Sequence, residues 1–460
     1  MITRLLLIVL FVTILAPASF AADFESRLNS LEETLKKQQK TIEEQQQLID
    51  QLKEELSAVK QQAPVKAEEK TVQVAPQQPP PSELTPKASG LFGGSFMTNP
   101  YLSFVLNTFY YSSNVNGNEL KNRGVVGFSD QGFDQTKGFN IREGELFLFA
   151  PVDSYFNLYA NIPFTDNGVS LEEAYFVTSS LPEGLQVKGG KFKSGFSRLN
   201  TQHPHAWDFA DLPLAYRGFT GNEGIIEKGA QLTYLPSLPF YTLLGIEALQ
   251  GENQTMFNQN VTSGPHAFTG YAKSSFDISD SSTLLLGPYV VGGQTRTDTV
   301  ANGTFFMGNS TLYGFEAVYK WKPSRYRSLI IQGEYLWRDQ AGSLQNLISA
   351  SVDRLTRSQD GMYVQSLYQM GRWRLGARYD RLDILTDRYR LAGIQQDFHK
   401  PWRLTGALEF NPSEFSRIRL QYNYDRSGGD GFAYGGGPRT NQEIYLQMIL
   451  GIGAHAAHAF

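Results

Sequence analysis

Histidine and aspartate side chains in one short segment could hold a metal ion. His203, His205, Asp208 and Asp211 supply four possible ligands within nine residues, and imidazole and carboxylate groups bind zinc and other divalent ions. In an extended segment, a spacing of two residues places both histidines on one side. The alternative is a packed loop in which proline fixes the turn, the histidines hydrogen-bond a wall and Trp207 anchors the chain. The sequence leaves both interpretations open.

Basic side chains surround this segment and recur on three predicted strands. In a channel they would raise the local concentration of anions, because low-dielectric walls focus the field. The ten candidate pore-lining residues are Lys191, Lys193, Arg198, Arg217, Arg372, Arg374, Arg378, Arg403, Arg417 and Arg419. The alternative is that these cations pair across the wall with acids and brace it. The acids available for pairing are Asp208, Asp211, Asp380, Glu409 and Asp425.

The metal-ligand candidates lie in a long segment without strand or helix periodicity, residues 194–225, which we call the third loop. Structureless segments of this length are usually functional or disordered. Its prolines, Trp207 and several phenylalanines favour a packed conformation, because they can bury enough apolar surface to fix one. We therefore predict that the third loop folds inside a container formed by the rest of the chain.

The composition favours an all-β protein. Aromatic residues make up 13% of the 460 residues, glycine occurs 43 times and the mean hydropathy is -0.31, which excludes a helical membrane bundle. The absence of cysteine excludes disulfides, thiolate metal sites and an N-terminal lipoprotein anchor. Lysine and arginine are dispersed, which argues against nucleic acid. The sequence shows no recognisable pairing of a nucleophile with a base, no phosphate-binding loop and no recognisable pair of catalytic carboxylates. We therefore predict neither enzymatic activity nor a cofactor.

Three segments precede the predicted container. Residues 1–21 have a basic residue, a short apolar run and small residues before Ala21, which predicts a secretory signal peptide. Residues 22–60 carry a heptad pattern that predicts a coiled coil and hence self-association. Residues 61–89, rich in proline and glutamine, predict a semi-rigid linker. The heptad positions are Leu28, Leu31, Leu35, Ile42, Ile49, Leu52, Leu56 and Val59.

Residues 90–460 predict a transmembrane antiparallel β-barrel of about 16 strands. Short turns alternate with longer loops, and strands alternate apolar with polar positions, as for Ile418 and Leu420 against Arg417 and Arg419. A soluble β-sandwich, with the apolar faces inward, is the alternative. Strands are expected to start near residues 101, 139, 154, 168, 184, 226, 239, 266, 281, 310, 327, 360, 372, 401, 415 and 441.

This organisation resembles the trimeric phosphate-selective porins of the O and P type. The local resemblance lies in Gly190 to Phe196, which is similar to the basic strand that leads into the third loop of that family, and Phe460 resembles the terminal aromatic assembly signal of outer-membrane proteins. His203 to Phe209 resembles a porin-like subgroup sometimes labelled metal-regulated or TonB-linked receptors. The chain has neither the 22 strands nor the plug domain of a TonB-dependent receptor.

The resemblance implies a homotrimer in the bacterial outer membrane, in contact with its lipid, with the N-terminal arm in the periplasm. It also implies passive diffusion of small hydrophilic solutes, anions such as phosphate among them, past a constriction formed by the third loop. Two alternatives remain: a metal-ion-related transport channel, and a structural tether without channel activity that contacts the cell wall through the coiled coil.

Overall fold

The computed structural model describes residues 100–121, 123–129, 132, 135–258, 263–297, 304–346, 351–428 and 440–453. All of them belong to the second of two compact units, Thr85–Phe460. The predicted signal peptide, coiled coil and linker lie outside the described residues, as do His455, His458 and Phe460 near the C-terminus.

Sixteen long strands form one closed antiparallel sheet, because β1 pairs with both β2 and β16. The strands are β1 Tyr101–Ser113, β2 Gly138–Pro151, β3 Phe156–Thr165, β4 Glu173–Thr178, β5 Leu185–Lys193, β6 Ile226–Tyr234, β7 Tyr241–Leu249, β8 Ala267–Ser279, β9 Ser282–Thr297, β10 Thr304–Ser324, β11 Arg327–Asn346, β12 Val352–Met370, β13 Trp373–Leu391, β14 Trp402–Ser413, β15 Ser416–Arg426 and β16 Asn441–Gly453. Two-residue strands, Gly168–Val169 and Ile394–Gln395, extend two loops. The predicted 16-stranded barrel is confirmed.

Short helices occur only between strands in the part of the chain described. The α-helices are α1, Gly117–Lys121, and α2, Leu214–Thr220, and single 3-10 turns occupy Pro182–Gly184 and Pro204–Ala206. No helix within the described ranges is long and apolar enough to cross a membrane.

The two faces of the barrel differ in polarity, as the alternation in the sequence predicts. On β15, Ile418 and Leu420 are exposed on the outside, whereas Arg419 and Gln421 are fully buried on the inside. The same pattern holds on β16, where Leu446 and Met448 point outward. A single closed sheet with its apolar face outward excludes the β-sandwich alternative.

The largest hydrophobic cluster lies inside the barrel and not between layers. It joins apolar side chains of the third loop to inward-facing residues of the wall, and its loop members include Phe196, Trp207, Leu214, Tyr216 and Phe219. The barrel therefore uses the third loop as its core.

Candidate functional site

The third loop leaves the wall at β5 and returns at β6 through a closed neck. The Ser194 amide donates to the Ile225 carbonyl over 3.0 Å. Asn200 links the same two residues. Its side-chain NH2 group donates to the carbonyls of Ser194 and Ile225, and its side-chain oxygen accepts from the Ile225 amide over 2.8 Å. Gly224 adopts a φ of +77° beside Asn200, and a Cβ there would lie 2.4 Å from the Asn200 oxygen. Only glycine fits this backbone without strain.

Beyond the neck, the loop packs its aromatic side chains into the barrel. All seven residues of α2 are buried. Phe196 stacks on Tyr216 of α2 and contacts Tyr289 of β9, while Phe209 lies under the Arg378 guanidinium at 4.7 Å. Burying this apolar surface favours the inward position of the loop, since the alternative exposes it to water.

A first group of charges, the Asp211 clamp, fixes the loop to β13 and β14. The Asp211 carboxylate lies 2.8 Å from Arg378 and 2.7 Å from Arg403, and Asp380 of the wall lies within 3.3 Å of both arginines. Gln421 also donates to Asp211 over 2.7 Å. Burial alone would raise the pKa of Asp211, but Arg403 and Arg378 outweigh it and hold the pKa well below its usual range.

A second group, the Glu409 clamp, lies on β13 to β15. Arg374 bridges Asp208 of the loop, at 2.7 Å, and Glu409 of the wall, at 3.0 Å. Arg419 pairs with Glu409 at 2.7 Å and donates to the Trp207 carbonyl over 2.9 Å. Arg417 pairs with Glu409 at 3.4 Å. These contacts match the bracing alternative for the strand arginines.

A third group, the histidine cluster, joins the loop to β2 and to the start of β4. His203 lies 2.8 Å from Glu173, and His205 lies 3.2 Å from Glu145. One nitrogen from each histidine and a Glu145 oxygen all lie within 4.8 Å of one another. Among the described residues Asp208 and Asp211 are not part of this group, because both contact arginines of β13 and β14.

The carboxylates of the histidine cluster also set the charge of its histidines. Burial would lower the pKa of His205, but the adjacent carboxylates of Glu143 and Glu145 raise it to about 9. Burial opposes charge on His203 as well, and the hydrogen bond with Glu173 and the nearby Glu172 outweigh it and raise the pKa. The cluster can therefore hold positive charge on its two rings at neutral pH.

Three buried glutamates that the sequence reasoning missed bind the loop backbone and hydroxyls. Glu247 of β7 accepts from the Gly195 amide over 2.7 Å, Glu316 of β10 accepts from the Arg198 amide over 2.8 Å, and Glu334 of β11 accepts from the Ser197 hydroxyl over 2.8 Å. The sequence signal that could have revealed these contacts is a glutamate at an inward-facing position of a strand. Such a side chain requires a partner when it is buried.

The remaining predicted basic residues lie in different surroundings. Lys191 donates to the Leu171 carbonyl and lies on the face of β5 opposite Phe192, whereas Lys193 is buried and pairs with Glu172 at 3.1 Å. Arg217 is buried in α2, and Arg372 is exposed at the turn before β13.

Arg198 and Lys188 are partly exposed cations that face the lumen. Arg198 of the third loop donates to the Gln332 side chain over 3.2 Å. Lys188, which the sequence reasoning did not select, lies over the rings of Tyr175 and Phe192 at 4.8 and 5.3 Å. Neither has an ion pair of 4 Å or less with another described residue.

The fold and the loop define the class of the molecule: a closed 16-stranded barrel with a polar lumen and one loop folded into it. No protein-family model matches the chain. An uncharacterized protein of Aquifex aeolicus strain VF5 is 40% identical over 386 residues, which are 78% of this chain and 80% of the relative. The chain belongs to the same family as that protein.

Solved structures with a similar fold include three barrels at low sequence identity. The trimer form of OmpT, an outer membrane protein of Vibrio cholerae, is 10% identical with a TM-score of 0.48, over 77% of this chain and 99% of OmpT. The outer membrane channel DcaP of Acinetobacter baumannii is 11% identical with a TM-score of 0.49, over 77% and 97%. An anion-selective porin from Comamonas acidovorans is 12% identical with a TM-score of 0.46, over 77% and 99%.

Proposed function

We propose that this protein is an outer-membrane diffusion channel for small hydrophilic solutes and that the third loop is its constriction. The observation that carries the proposal is the loop itself, which enters the barrel between β5 and β6 and is clamped to β13, β14 and β15 on other parts of the wall. A barrel of about 16 strands is wide enough to leave an aqueous lumen unless something fills it. Its apolar outer face suits lipid, and its polar inner face suits water.

We propose further that small anions, such as phosphate, are favoured over cations. The clamp arginines contribute little to this preference, because Asp211, Asp380 and Glu409 compensate their charges at ion-pair distance. Lys188 and Arg198 are the better candidates, since both are partly exposed and lack an ion pair within the described residues. A cation that has no ion-pair partner within 4 Å and lies beside a narrow lumen attracts anions.

Reversal potentials in planar bilayers test the selectivity. The unmodified channel should favour anions, and Lys188→Gln with Arg198→Gln should abolish the preference while keeping the conductance. Arg372→Gln, at an exposed turn, is the matched control and should leave the reversal potential unchanged. A cation preference in the unmodified channel would refute the anion proposal. Correctly folded protein with no conductance at all would instead favour the tether.

The histidine cluster supports a second candidate role, the binding of a divalent ion such as zinc. His203, His205 and Glu145 form a two-histidine, one-carboxylate set, and such sets hold zinc with a fourth position open. Because both rings can hold a proton at neutral pH, zinc would bind with release of those protons, and binding would strengthen as the pH rises. Zinc ligands about 2.1 Å from the ion lie roughly 3.4 Å apart, so ligand atoms that now lie up to 4.8 Å apart would close in by up to about 1.4 Å. The aspartates of the original sequence hypothesis are replaced in this proposal by Glu145.

Calorimetric titration of the full chain with zinc tests this role. His203→Gln with His205→Gln should remove one bound zinc per chain, whereas His266→Gln, outside the cluster, should remove none. If the double variant binds as much zinc as the unmodified protein, the two histidines only attach the loop to the wall.

A further inference from the structure

A basic cleft lies on the outside of the barrel, away from the lumen. It has a volume of about 640 Å³ and lies on β10 to β13. Its charged lining consists of the exposed Arg354, Arg388 and Arg390, the buried Arg357, and Asp339. We call it the outer-face arginine cleft.

Strand register places these side chains on the outer face. Thr356 pairs with Arg390, Ser358 pairs with Arg388, and Asp339 pairs with Ser358, and directly paired residues of antiparallel strands share a face. The intervening residues Leu355 and Tyr389 are buried in a cluster inside the barrel. Since successive residues of a strand point to opposite faces, Arg354 and Arg390 point away from the lumen.

The cleft lies above the apolar belt at the end of the barrel that carries the long loops. Strands β10 to β13 have 21, 20, 19 and 19 residues, whereas about 9 to 11 residues of a tilted strand cross a bilayer. Tyr313 and Trp337 pair on the outer face with ring centroids 5.7 Å apart. Paired aromatic residues in this position are typical of the interface between membrane and water.

The height of the cleft matches a headgroup layer. Thr311 lies two residues before Tyr313, and its partner Asp339 lies two residues after Trp337. This offset is about 5 Å along the membrane normal for a strand tilted by about 40°. The headgroup layer on each side of a bilayer is about 5 to 7 Å thick. The Trp337 indole donates to the Ser358 hydroxyl over 3.1 Å, so the aromatic pair forms the lower border of the cleft.

The charges of the cleft are uncompensated. None of its three exposed arginines has an ion pair with any residue in the described ranges, and Asp339 is the one acid among the lining residues. The three exposed arginines therefore exceed the one acid of the cleft by two positive charges. Arginine presents several donors in a planar fork that matches the oxygens of a phosphate group, and such pairs are frequently bidentate.

We propose that the outer-face arginine cleft binds the phosphate groups of outer-leaflet lipid headgroups. The proposal rests on the proposed insertion of the barrel in the outer membrane. It assigns Arg354, Arg388 and Arg390 to one headgroup, with the acyl chains lying along the apolar belt below Tyr313 and Trp337. The lipid would hold the long ends of β10 to β13 at a fixed height in the membrane.

Native mass spectrometry of the full-length protein with phosphatidic acid, whose headgroup is a phosphate monoester, tests the proposal. Each surface arginine strengthens binding to anionic lipid by about fivefold, so replacing three should weaken it by about 100-fold. The test variant is Arg354→Gln, Arg388→Gln and Arg390→Gln. The matched control is Arg325→Gln, Arg327→Gln and Arg372→Gln, which removes the same charge from exposed positions near the short turns at the other end of the barrel.

Each of the other possible results would contradict the lipid assignment. Equal losses in the two triple variants would overturn the assignment, because any surface charge would then suffice. Binding of inorganic phosphate at this cleft without binding of phosphatidic acid would also overturn it, in favour of a free anion. Conversion of an oligomer to a monomer by the test variant alone would identify the cleft as an interface between copies. Conductance measured on the same variants separates this test from the channel proposal, since the cleft lies outside the lumen and the test variant should conduct normally.

Discussion

Removing the charge of Asp211 should release the third loop from the wall. Asp211 joins two buried arginines and also accepts from Gln421 and Asn423 over 2.7 and 3.0 Å. Asp211→Asn keeps the size of the side chain but leaves Arg378 and Arg403 sharing one carboxylate, that of Asp380. Removing one partner of a buried ion pair costs about 3 to 5 kcal/mol. The wall strands keep their backbone hydrogen bonds, so the variant should lower the stability of the folded loop and not that of the barrel wall.

Hydrogen–deuterium exchange of the loop amides measures this loss. A decrease of about 3 to 5 kcal/mol in the free energy of local opening accelerates exchange by about 150-fold to 4,000-fold. The Leu214 amide is the most direct reporter, because it donates to Asp380 over 2.9 Å. Asp387→Asn is the matched control, since Asp387 and its partner Lys400 are 60% and 43% exposed and such pairs contribute at most about 1 kcal/mol.

A charge-balancing variant separates the clamp from general damage. Arg378→Gln added to Asp211→Asn removes the surplus cation, so the double variant should exchange more slowly than Asp211→Asn alone. If Asp211→Asn accelerates exchange in 207–220 no more than Asp387→Asn does, the clamp is not what holds the loop.

Three further predictions follow from the same geometry and from the heptad pattern. Because the pKa values of Asp208 and Asp211 are lowered, their contribution to loop stability is fully present above about pH 4 and declines progressively as the pH falls towards the lowered values. Pepsin should therefore cut 207–213 faster at about pH 2 than at about pH 4. Equal cutting at both would contradict the sign. Gly224→Ala should destabilise the neck by about 1 to 3 kcal/mol in thermal unfolding. Gly371→Ala should cost less, because Gly371 also has a positive φ, +61°, but an added Cβ there would meet open space. Equal costs would show that the contact with Asn200 is unimportant. Deleting 22–60 should convert a trimer into a monomer in sedimentation of gently solubilised protein, and an unchanged trimer would assign assembly to the barrel alone.

The strands of the barrel wall could be predicted from the sequence because their pattern of polar and apolar residues is local. A period of two is visible within a single strand, as for Ile418 to Asn423, and it needs no knowledge of the neighbouring strand. The largest error in a strand start shows the limit of that rule: the pattern placed it near 360, but β12 begins at Val352. Outside the apolar belt both faces of β12 can be polar, as Asp353 and Arg354 are, so the alternation disappears before the strand ends.

Partners of the loop could not be predicted, because they depend on register between distant strands. Asp211 binds Arg378, which is 167 residues away in sequence, and His205 lies beside Glu145 of β2. Nearness in sequence suggested one metal site made of His203, His205, Asp208 and Asp211. The extended chain after the 3-10 turn Pro204–Ala206 instead carries the aspartates to a different part of the wall from the histidines. Lys188 was missed because the sequence does not show which of the neighbouring lysines on β5 points into the lumen.

Single-channel recording of a variant lacking residues 200–218 tests the central claim most directly. The deletion removes the Asp211 clamp, Asp208 and the histidine cluster, together with Asn200 of the neck. It spares the Ser194–Ile225 backbone hydrogen bond and the glutamate contacts of residues 195–198. Because the loop packs its apolar core inside the barrel, conductance should rise severalfold while the barrel keeps its β-sheet circular dichroism signal. A folded variant with the conductance of the unmodified channel would contradict a constriction formed by the third loop.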